Sequence, residues 1–429
     1  MEAFSKETHS QGHLSTGFLS RHHGLGTLVN HAGEGDNPLH AHLQPIFETA
    51  TFRFPDVATG AAIEEGRQPG YIYTRLSNPN ALLMARKIAL LEGLDLLHAQ
   101  PKAEPDDLVT GQLFASGMAA ISAAILSRAH AGDTILAQHS LYGNAFNFLQ
   151  DVLPRLGIEV VWVTDTGEAG WQAAFAAHPQ AVLAYTETPA NPTMLVVDLE
   201  MVANLAHRYG AWLVVDNTFA TPFCQRPLSL GADLVLHSTT KYLSGQGAII
   251  GGALVSPHVE FMRREVHEQL VLMGAVPSPF DAWLANLGLK TFELRMQRHC
   301  ANALQIARFL SEHPKVARVY YPGLESDPGH ALARRQMHAY GGMLSFELKG
   351  GVPAGAKLMD SLRLITLAVS LGNVDSLIQH PASMTHSTVP PEARRKMGLA
   401  DGLVRFSVGI ENVEDLIADL EQGLAQVKT

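Results

Sequence analysis

Cysteine is nearly absent: the 429 residues include only Cys224 and Cys300. A disulfide framework is excluded as the source of stability, and a reducing compartment fits, so a cytoplasmic location is expected. Long apolar runs are also missing, and none reaches the ~18 residues that a membrane-spanning helix requires. The stretch from Met1 to Asn37 is polar, with Gly, Ser and His, and lacks the apolar core of a secretory signal. There is no basic excess either. The 31 Lys and Arg residues face 41 Asp and Glu, the net charge is −10, and no basic run is dense enough to grip nucleic acid. Neither nucleic acid nor a membrane is expected as a partner.

What is present suits a well-packed soluble enzyme, with 46% hydrophobic and 17% charged residues. The length predicts two or three domains. His9, His13, His22, His23 and His31 crowd the N-terminal segment, but their spacing matches no recurrent metal motif. They read as part of an arm, and no metal is expected.

Apolar residues recur at helical spacing from Asn80 to Leu97, the pattern ending near Gly93. Residues 98–112 are polar, carry Pro101 and Pro105, and read as a surface loop. Ala115-Ser116-Gly117-Met118 then opens a small-residue helix. Strands are predicted at Thr134–Ala137, Val160–Val163, Ala181–Tyr185, Trp212–Val215, Leu234–Leu236 and Ile249–Val255. Helices are predicted at Asn144–Arg155, Gly170–Ala177 and Leu199–Tyr209. This alternation predicts βα units and a mostly parallel sheet covered by helices. Beyond Pro279 the pattern changes to one long helix over Phe280–His313, alternating strands at 343–348 and 403–408, and a final helix over Val413–Val427. These form a second, smaller α+β domain.

In parallel sheets, ligands bind beyond the carboxyl ends of the strands. Lys241 lies there, in His237-Ser238-Thr239-Thr240-Lys241-Tyr242, just after Leu234–Leu236. An amine at the mouth of a sheet, beside hydroxyls and glycines, suits a Schiff base with pyridoxal phosphate (PLP). Asp216 ends the Trp212–Val215 strand, where a buried carboxylate can keep a pyridinium nitrogen protonated and make the ring an electron sink. Taken alone, Asp216 serves equally well as a cap on the turn into Asn217-Thr218. Glu187 occupies a third strand end.

Ser116-Gly117-Met118 offers backbone N–H groups at a helix start, where a phosphate can bind. Ser238 and Thr240 add hydroxyls two residues apart. Tyr142 follows a strand and can stack on an aromatic ring, while Tyr73 and Arg75 are polar anchors outside any periodic element. Arg405, inward-facing in an alternating strand, needs an anion, and a substrate carboxylate is its natural partner. The Gly245-Gln246-Gly247-Ala248-Ile249-Ile250-Gly251 run is not a nucleotide loop, because its glycines are wrongly spaced and a strand follows.

Together these motifs resemble the Cys/Met-metabolism family of PLP enzymes, which includes cystathionine γ-synthases, cystathionine γ-lyases, methionine γ-lyases and O-acylhomoserine sulfhydrylases. The match runs from about Leu43 to the C-terminus. Its anchors are Tyr73-Thr74-Arg75-Leu76-Ser77-Asn78-Pro79, Glu187-Thr188-Pro189-Ala190-Asn191-Pro192, Val215-Asp216-Asn217-Thr218, Ser238-Thr239-Thr240-Lys241-Tyr242 and Val404-Arg405-Phe406-Ser407-Val408-Gly409. The resemblance implies an α/β, PLP fold-type I (aspartate-aminotransferase-like) enzyme, a homotetramer built as a dimer of dimers. It implies an N-terminal arm over 1–77 touching the neighbouring subunit, a PLP-binding domain over 78–290 and an α+β domain over 291–429.

By the same resemblance, Lys241 carries the cofactor, Asp216 pairs with its pyridinium, and Tyr142 stacks on the ring and helps proton transfer. Ser116, Gly117, Met118, Ser238 and Thr240 bind the phosphate, with Tyr73 and Arg75 completing that site in the neighbouring subunit. Asn191, Ser370 and Arg405 hold the substrate. The run His380-Pro381-Ala382-Ser383-Met384-Thr385-His386 is most similar to methionine γ-lyases. That implies γ-elimination on L-methionine or L-homocysteine, giving a thiol or hydrogen sulfide, 2-oxobutanoate and ammonia. The alternative is γ-replacement on O-acetyl- or O-succinylhomoserine with sulfide or a thiol.

Two positions bear on that choice. Val369 stands where members acting on cystathionine often carry glutamate. Asn144 stands where methionine γ-lyases typically carry cysteine, two places after the stacking tyrosine.

Overall fold

The computed structural model describes residues 23–35, 37, 39–384 and 400–428. His9, His13 and His22 of the N-terminal cluster, and Thr385 and His386 of the late motif, lie outside the described residues.

A seven-stranded sheet contains β1 (Thr110–Phe114), β2 (Thr134–Gln138), β3 (Glu159–Val163), β4 (Leu183–Glu187), β5 (Trp212–Asp216), β6 (Leu234–Ser238) and β7 (Gly252–Ser256). Its spatial order is β1-β7-β6-β5-β4-β2-β3. β3, β2, β4, β5 and β6 are parallel, and β7 runs antiparallel to both β6 and β1. The parallel strands are short apolar runs because both faces are covered. On β5, Leu213 and Val215 join a core with Met84, Ile88, Val202 and Leu205, while Val214 joins Ile121, Ile125 and Leu270 on the opposite face.

The surface loop expected over 98–112 needs correction at its end: Thr110–Phe114 is β1, an edge strand in register with β7. Thr110, Gly111 and Gln112 carry little apolar signal, so the pairing partner, not the local pattern, makes this strand. The Ile249–Val255 strand is displaced to Gly252–Ser256. The single helix expected over Phe280–His313 is two, Pro279–Leu289 and Phe292–Glu312. Arg295 holds the break: one Nη donates to Gly288 O at 2.9 Å, and the other to Tyr242 O at 2.7 Å, in the turn just after Lys241.

A second sheet contains β8 (Val316–Tyr320), β9 (Met343–Leu348), β10 (Thr366–Leu367), β11 (Leu377–Gln379) and β12 (Leu403–Ser407), ordered β10-β11-β12-β9-β8. Its core joins Phe346, Val404 and Phe406 to Ile306 and Leu310 of the Phe292–Glu312 helix and to Leu416 and Leu420 of the Val413–Ala425 helix.

Near the N-terminus, the Leu25–His31 helix buries Leu25, Leu28 and Val29. Buried Lys87 fastens this segment, bonding Val29 O at 2.8 Å, Glu34 Oε1 at 2.5 Å and Asn286 Oδ1 at 2.8 Å. Among the described residues no helix is long and apolar enough to cross a membrane, and no three His, Cys, Asp or Glu side chains gather so as to hold a metal ion.

Candidate active site

Three neighbouring parallel strands end in polar groups: β4 in Glu187, β5 in Asp216 and β6 in Ser238. Glu187 and Asp216 are register partners, so two buried carboxyls lie side by side at the mouth of the sheet. The turn after β6 then delivers Lys241.

Lys241 Nζ donates to Ser370 Oγ at 2.7 Å. Burial, and then the nearby Arg405 guanidinium, pull the lysine's pKa down to about 8. Ser370 has φ +89°, a region that costs a non-glycine residue about 1–3 kcal/mol and persists only where the surroundings enforce it. Here they do. The Ser370 carbonyl accepts Arg405 Nη2 at 2.6 Å, and two residues later Gly372 N–H donates to Ser407 Oγ at 2.8 Å. A Cβ on Gly372 would lie 2.6 Å from Tyr242 N, so the strap rests directly on the lysine's turn.

Arg405 comes from β12 and is buried. Its Nη1 donates to Asn191 Oδ1 at 3.1 Å, and its Nε has no hydrogen-bond partner among the described residues. Both of its partners are neutral oxygens. Burial lowers the guanidinium's pKa to about 10, against the opposing fields of Tyr242, Tyr142 and Glu187. A buried cation with an unsatisfied donor is a seat for an anion.

Burial raises the pKa of Asp216, while Thr218, whose N–H reaches Asp216 Oδ1 at 3.0 Å, and His237 act against it. His237 Nε2 lies 2.5 Å from Glu92 Oε1, which also accepts Asn217 Nδ2 at 2.7 Å. Glu187 is pushed up to about 8, by burial first and the Asp216 charge second; the N–H groups of Tyr142 and Asn191 and the charge of Arg405 pull the other way.

Ser116 caps the Gly117–Leu126 helix by accepting Ala119 N–H at 3.1 Å. A Cβ on Gly117 would lie 2.9 Å from Ser238 Cβ, so only glycine lets this helix start press on the end of β6. Met118 is half-buried against the helix-covered face. Thr240 Oγ1 donates to Gly251 O at 3.2 Å and accepts Gly251 N–H at 3.0 Å, so in this structure its hydroxyl fastens the approach to β7.

Tyr142 is 39% exposed, and its hydroxyl accepts Asn144 Nδ2 at 2.9 Å. Tyr73 and Arg75 make their contacts away from this group. Tyr73 forms an antiparallel bridge with Thr51, Arg75 donates to Val271 O at 3.0 Å, and the Arg75 guanidinium lies 5.7 Å from the Tyr73 ring centre.

The structure therefore brings Lys241, Ser370, Arg405 and Asn191 into one hydrogen-bonded chain. Asp216, Ser238 and the Gly117 helix start come together at the adjoining strand ends. Sequence reasoning noted Glu187 as a strand-end acid, but its N–H partners carry no side-chain signal. It passed over Glu92, at the end of an apolar helix, and gave no role to His237 at the start of the lysine motif.

These residues fit PLP. Asp216 is a buried carboxyl that a protonated ring nitrogen would relieve, Lys241 is a desolvated amine, the glycine-opened helix start suits a phosphate, and Arg405 Nε is unpaired. Fold and site together define a fold-type I PLP enzyme of the aspartate-aminotransferase-like kind. Residues 26–425 match the model of the Cys/Met metabolism PLP-dependent enzymes, and the chain belongs to that family.

It is 45% identical to L-methionine gamma-lyase of Fusobacterium nucleatum subsp. polymorphum, over 95% of this chain and 100% of that one. It is 39% identical to O-succinylhomoserine sulfhydrylase of Pseudomonas aeruginosa, over 93% and 94%. The solved structure of cystathionine gamma synthase from Xanthomonas oryzae pv. oryzae, in complex with aminoacrylate and cysteine, shares 38% identity with a TM-score of 0.85, covering 94% and 98%.

Proposed function

We propose that this chain carries out γ-elimination on L-methionine or L-homocysteine, giving a thiol or hydrogen sulfide, 2-oxobutanoate and ammonia. The observation that carries this reading is the Ser370 bridge: one residue ties a low-pKa lysine amine to a buried arginine with a free donor. An amino-acid substrate needs that combination, a carboxylate seat beside a group that moves protons.

Bound PLP supplies an electron sink for the carbanion that forms at the substrate's α-carbon. Arg405, oriented by Asn191 and the Ser370 carbonyl, receives the α-carboxylate. Lys241 Nζ, held by Ser370 Oγ, would take the α-proton, and a pKa near 8 leaves a substantial neutral fraction for that work. Having passed on the first proton, Lys241 would take a second from the β-carbon as the γ-sulfur group leaves, and water would supply the oxygen of 2-oxobutanoate as the nitrogen is released as ammonia. Asp216 keeps the ring nitrogen protonated. Tyr142 would cover the ring, and its hydroxyl, fixed by Asn144, would give a proton to the departing sulfur group. Ser116, Gly117, Met118, Ser238 and Thr240 would hold the phosphate, Thr240 by turning its hydroxyl away from Gly251.

Tyr73 and Arg75 complete the phosphate site of a neighbouring subunit in a homotetramer built from shared-site dimers. Their contacts away from Lys241 support this, as do the exposed Val57, Leu272 and Met273. Of the division into 1–77, 78–290 and 291–429, the second boundary is supported by the helix break after Leu289. A cytoplasmic location is supported by the scarcity of cysteine, with only Cys224 and Cys300 in 429 residues.

Apolar, exposed Val369 beside Ser370 offers a thioether or thiol side chain no charged partner, as methionine and homocysteine require. The methionine γ-lyase relatives support elimination. Asn144 and the sulfhydrylase relative favour the second reading, γ-replacement on an O-acylhomoserine. One panel separates them: the PLP-loaded protein is given L-methionine, L-homocysteine, and O-acetyl- and O-succinylhomoserine, with and without sulfide. Elimination predicts 2-oxobutanoate from methionine or homocysteine without added sulfide. Acyl release that depends on sulfide, with no product from either sulfur amino acid, overturns it.

A further inference from the structure

Glu187 is a buried carboxyl that the mechanism above does not use. Its Oε2 accepts the backbone N–H of Tyr142 at 2.7 Å, and its Oε1 accepts the backbone N–H of Asn191 at 2.7 Å. The two donors belong to different loops, one following β2 and the other following β4. Each leads directly to a functional group: Tyr142 is the ring-covering tyrosine, and Asn191 Oδ1 holds Arg405 Nη1. Glu187 is itself clamped through its backbone. Its N–H donates to Gln138 Oε1 and its carbonyl accepts Gln138 Nε2, both at 3.2 Å, across the β2–β4 pair.

We propose that Glu187 is a positioning residue whose two carboxylate oxygens set, from one rigid point, both the tyrosine over the cofactor ring and the arginine that receives the substrate carboxylate. The proposal rests on the PLP reading of Lys241, Tyr142 and Arg405.

The chemistry requires a carboxylate at this point. Two N–H donors converge on it, and only a carboxylate offers an acceptor in both directions; an amide would turn its own NH2 against one of them. Burying an acid beside Asp216, its register partner, is costly. Two short N–H bonds and the field of Arg405 offset part of that cost, and burial and Asp216 still leave the carboxyl raised to about 8. A plain turn cap could be made by a neutral serine or asparagine without placing a second acid next to the ring-nitrogen carboxylate. The acid is explained by needing to hold two loops at once.

Glu187→Gln tests this in the PLP-loaded protein. Expected results are a retained visible absorption band, a visible circular dichroism signal reduced by about half or more as the ring cover loosens, and a KM for the sulfur amino acid raised roughly tenfold, the scale of one lost charge-assisted bond. Glu187→Asp keeps the carboxyl, so it secures a folded comparison. One methylene short, it holds one loop at a time, and both readouts should fall between wild type and E187Q. Wild-type dichroism and KM in both variants overturn the proposal, as does a change confined to melting temperature. If wild-type protein turns over neither methionine nor homocysteine, the γ-lyase reading fails, while the dichroism still decides the role of Glu187.

Discussion

Lys241 and Arg405 are two cations joined through one serine, and the guanidinium charge works against that of the lysine. The guanidinium helps hold the lysine's pKa near 8, so replacing it with a neutral side chain should move that pKa up. Only the neutral amine attacks an aldehyde. In cofactor-free protein the rate of PLP capture should therefore climb with pH through about 8 and level off above it. In Arg405→Gln the inflection should move to higher pH, because a like charge that disfavoured protonation has gone. Stopped-flow absorbance across a pH series checks this, and an unmoved or lowered inflection counts against the coupling. At this scale the site was partly legible in the sequence. Lys241 and Asp216 stand out because a charge at the end of an apolar strand is chemically conspicuous. The anchoring role of Glu187 does not, since its partners are backbone N–H groups that every residue but proline carries. Asn191 and Ser370 entered only through resemblance, because their bonds to Arg405 span 214 and 35 residues of sequence.

At the scale of elements, helices press on the lysine's turn from close range. The Pro279–Leu289 helix reaches it through Gly288, where a Cβ would run into the Ser244 carbonyl oxygen. Gly288→Ala should destabilise the protein by about 2 kcal/mol through overpacking and should weaken PLP binding as Lys241 shifts. Urea unfolding and PLP titration measure the two effects, and wild-type values in both would contradict the packing described. The parallel strands were readable because burial on both faces leaves them as continuous apolar runs. β1 was not: Thr110-Gly111-Gln112 follows a proline-broken polar stretch, and its strand character comes from pairing with β7. The break between the Pro279–Leu289 and Phe292–Glu312 helices was hidden for a similar reason. Lys290-Thr291 carries no breaker, and buried Arg295 satisfies the helix-end carbonyl from a distance.

At the scale of the whole molecule, the proposed shared site makes a specific demand. A protomer with Arg75→Ala still offers Lys241, and a protomer with Lys241→Ala still offers Tyr73 and Arg75. Each variant alone should be nearly inactive, whereas co-expressing the two should restore activity in mixed dimers, which hold one intact site. Absence of recovery in a demonstrated mixed oligomer would place both residues in their own protomer's chemistry. Such an assembly is hard to read from one chain, because an interface and an ordinary surface differ little in local pattern. The exposed Val57, Leu272 and Met273 acquire meaning only beside the contacts of Tyr73 and Arg75.

Lys241 is proposed as the amine that holds the cofactor. Borohydride reduction of the PLP-loaded protein, followed by peptide mass mapping, tests this most directly. The expected result is a pyridoxyl group fixed on Lys241 alone and absent from Lys241→Ala. A pyridoxyl group on another lysine, or a variant that still acquires one, would contradict it.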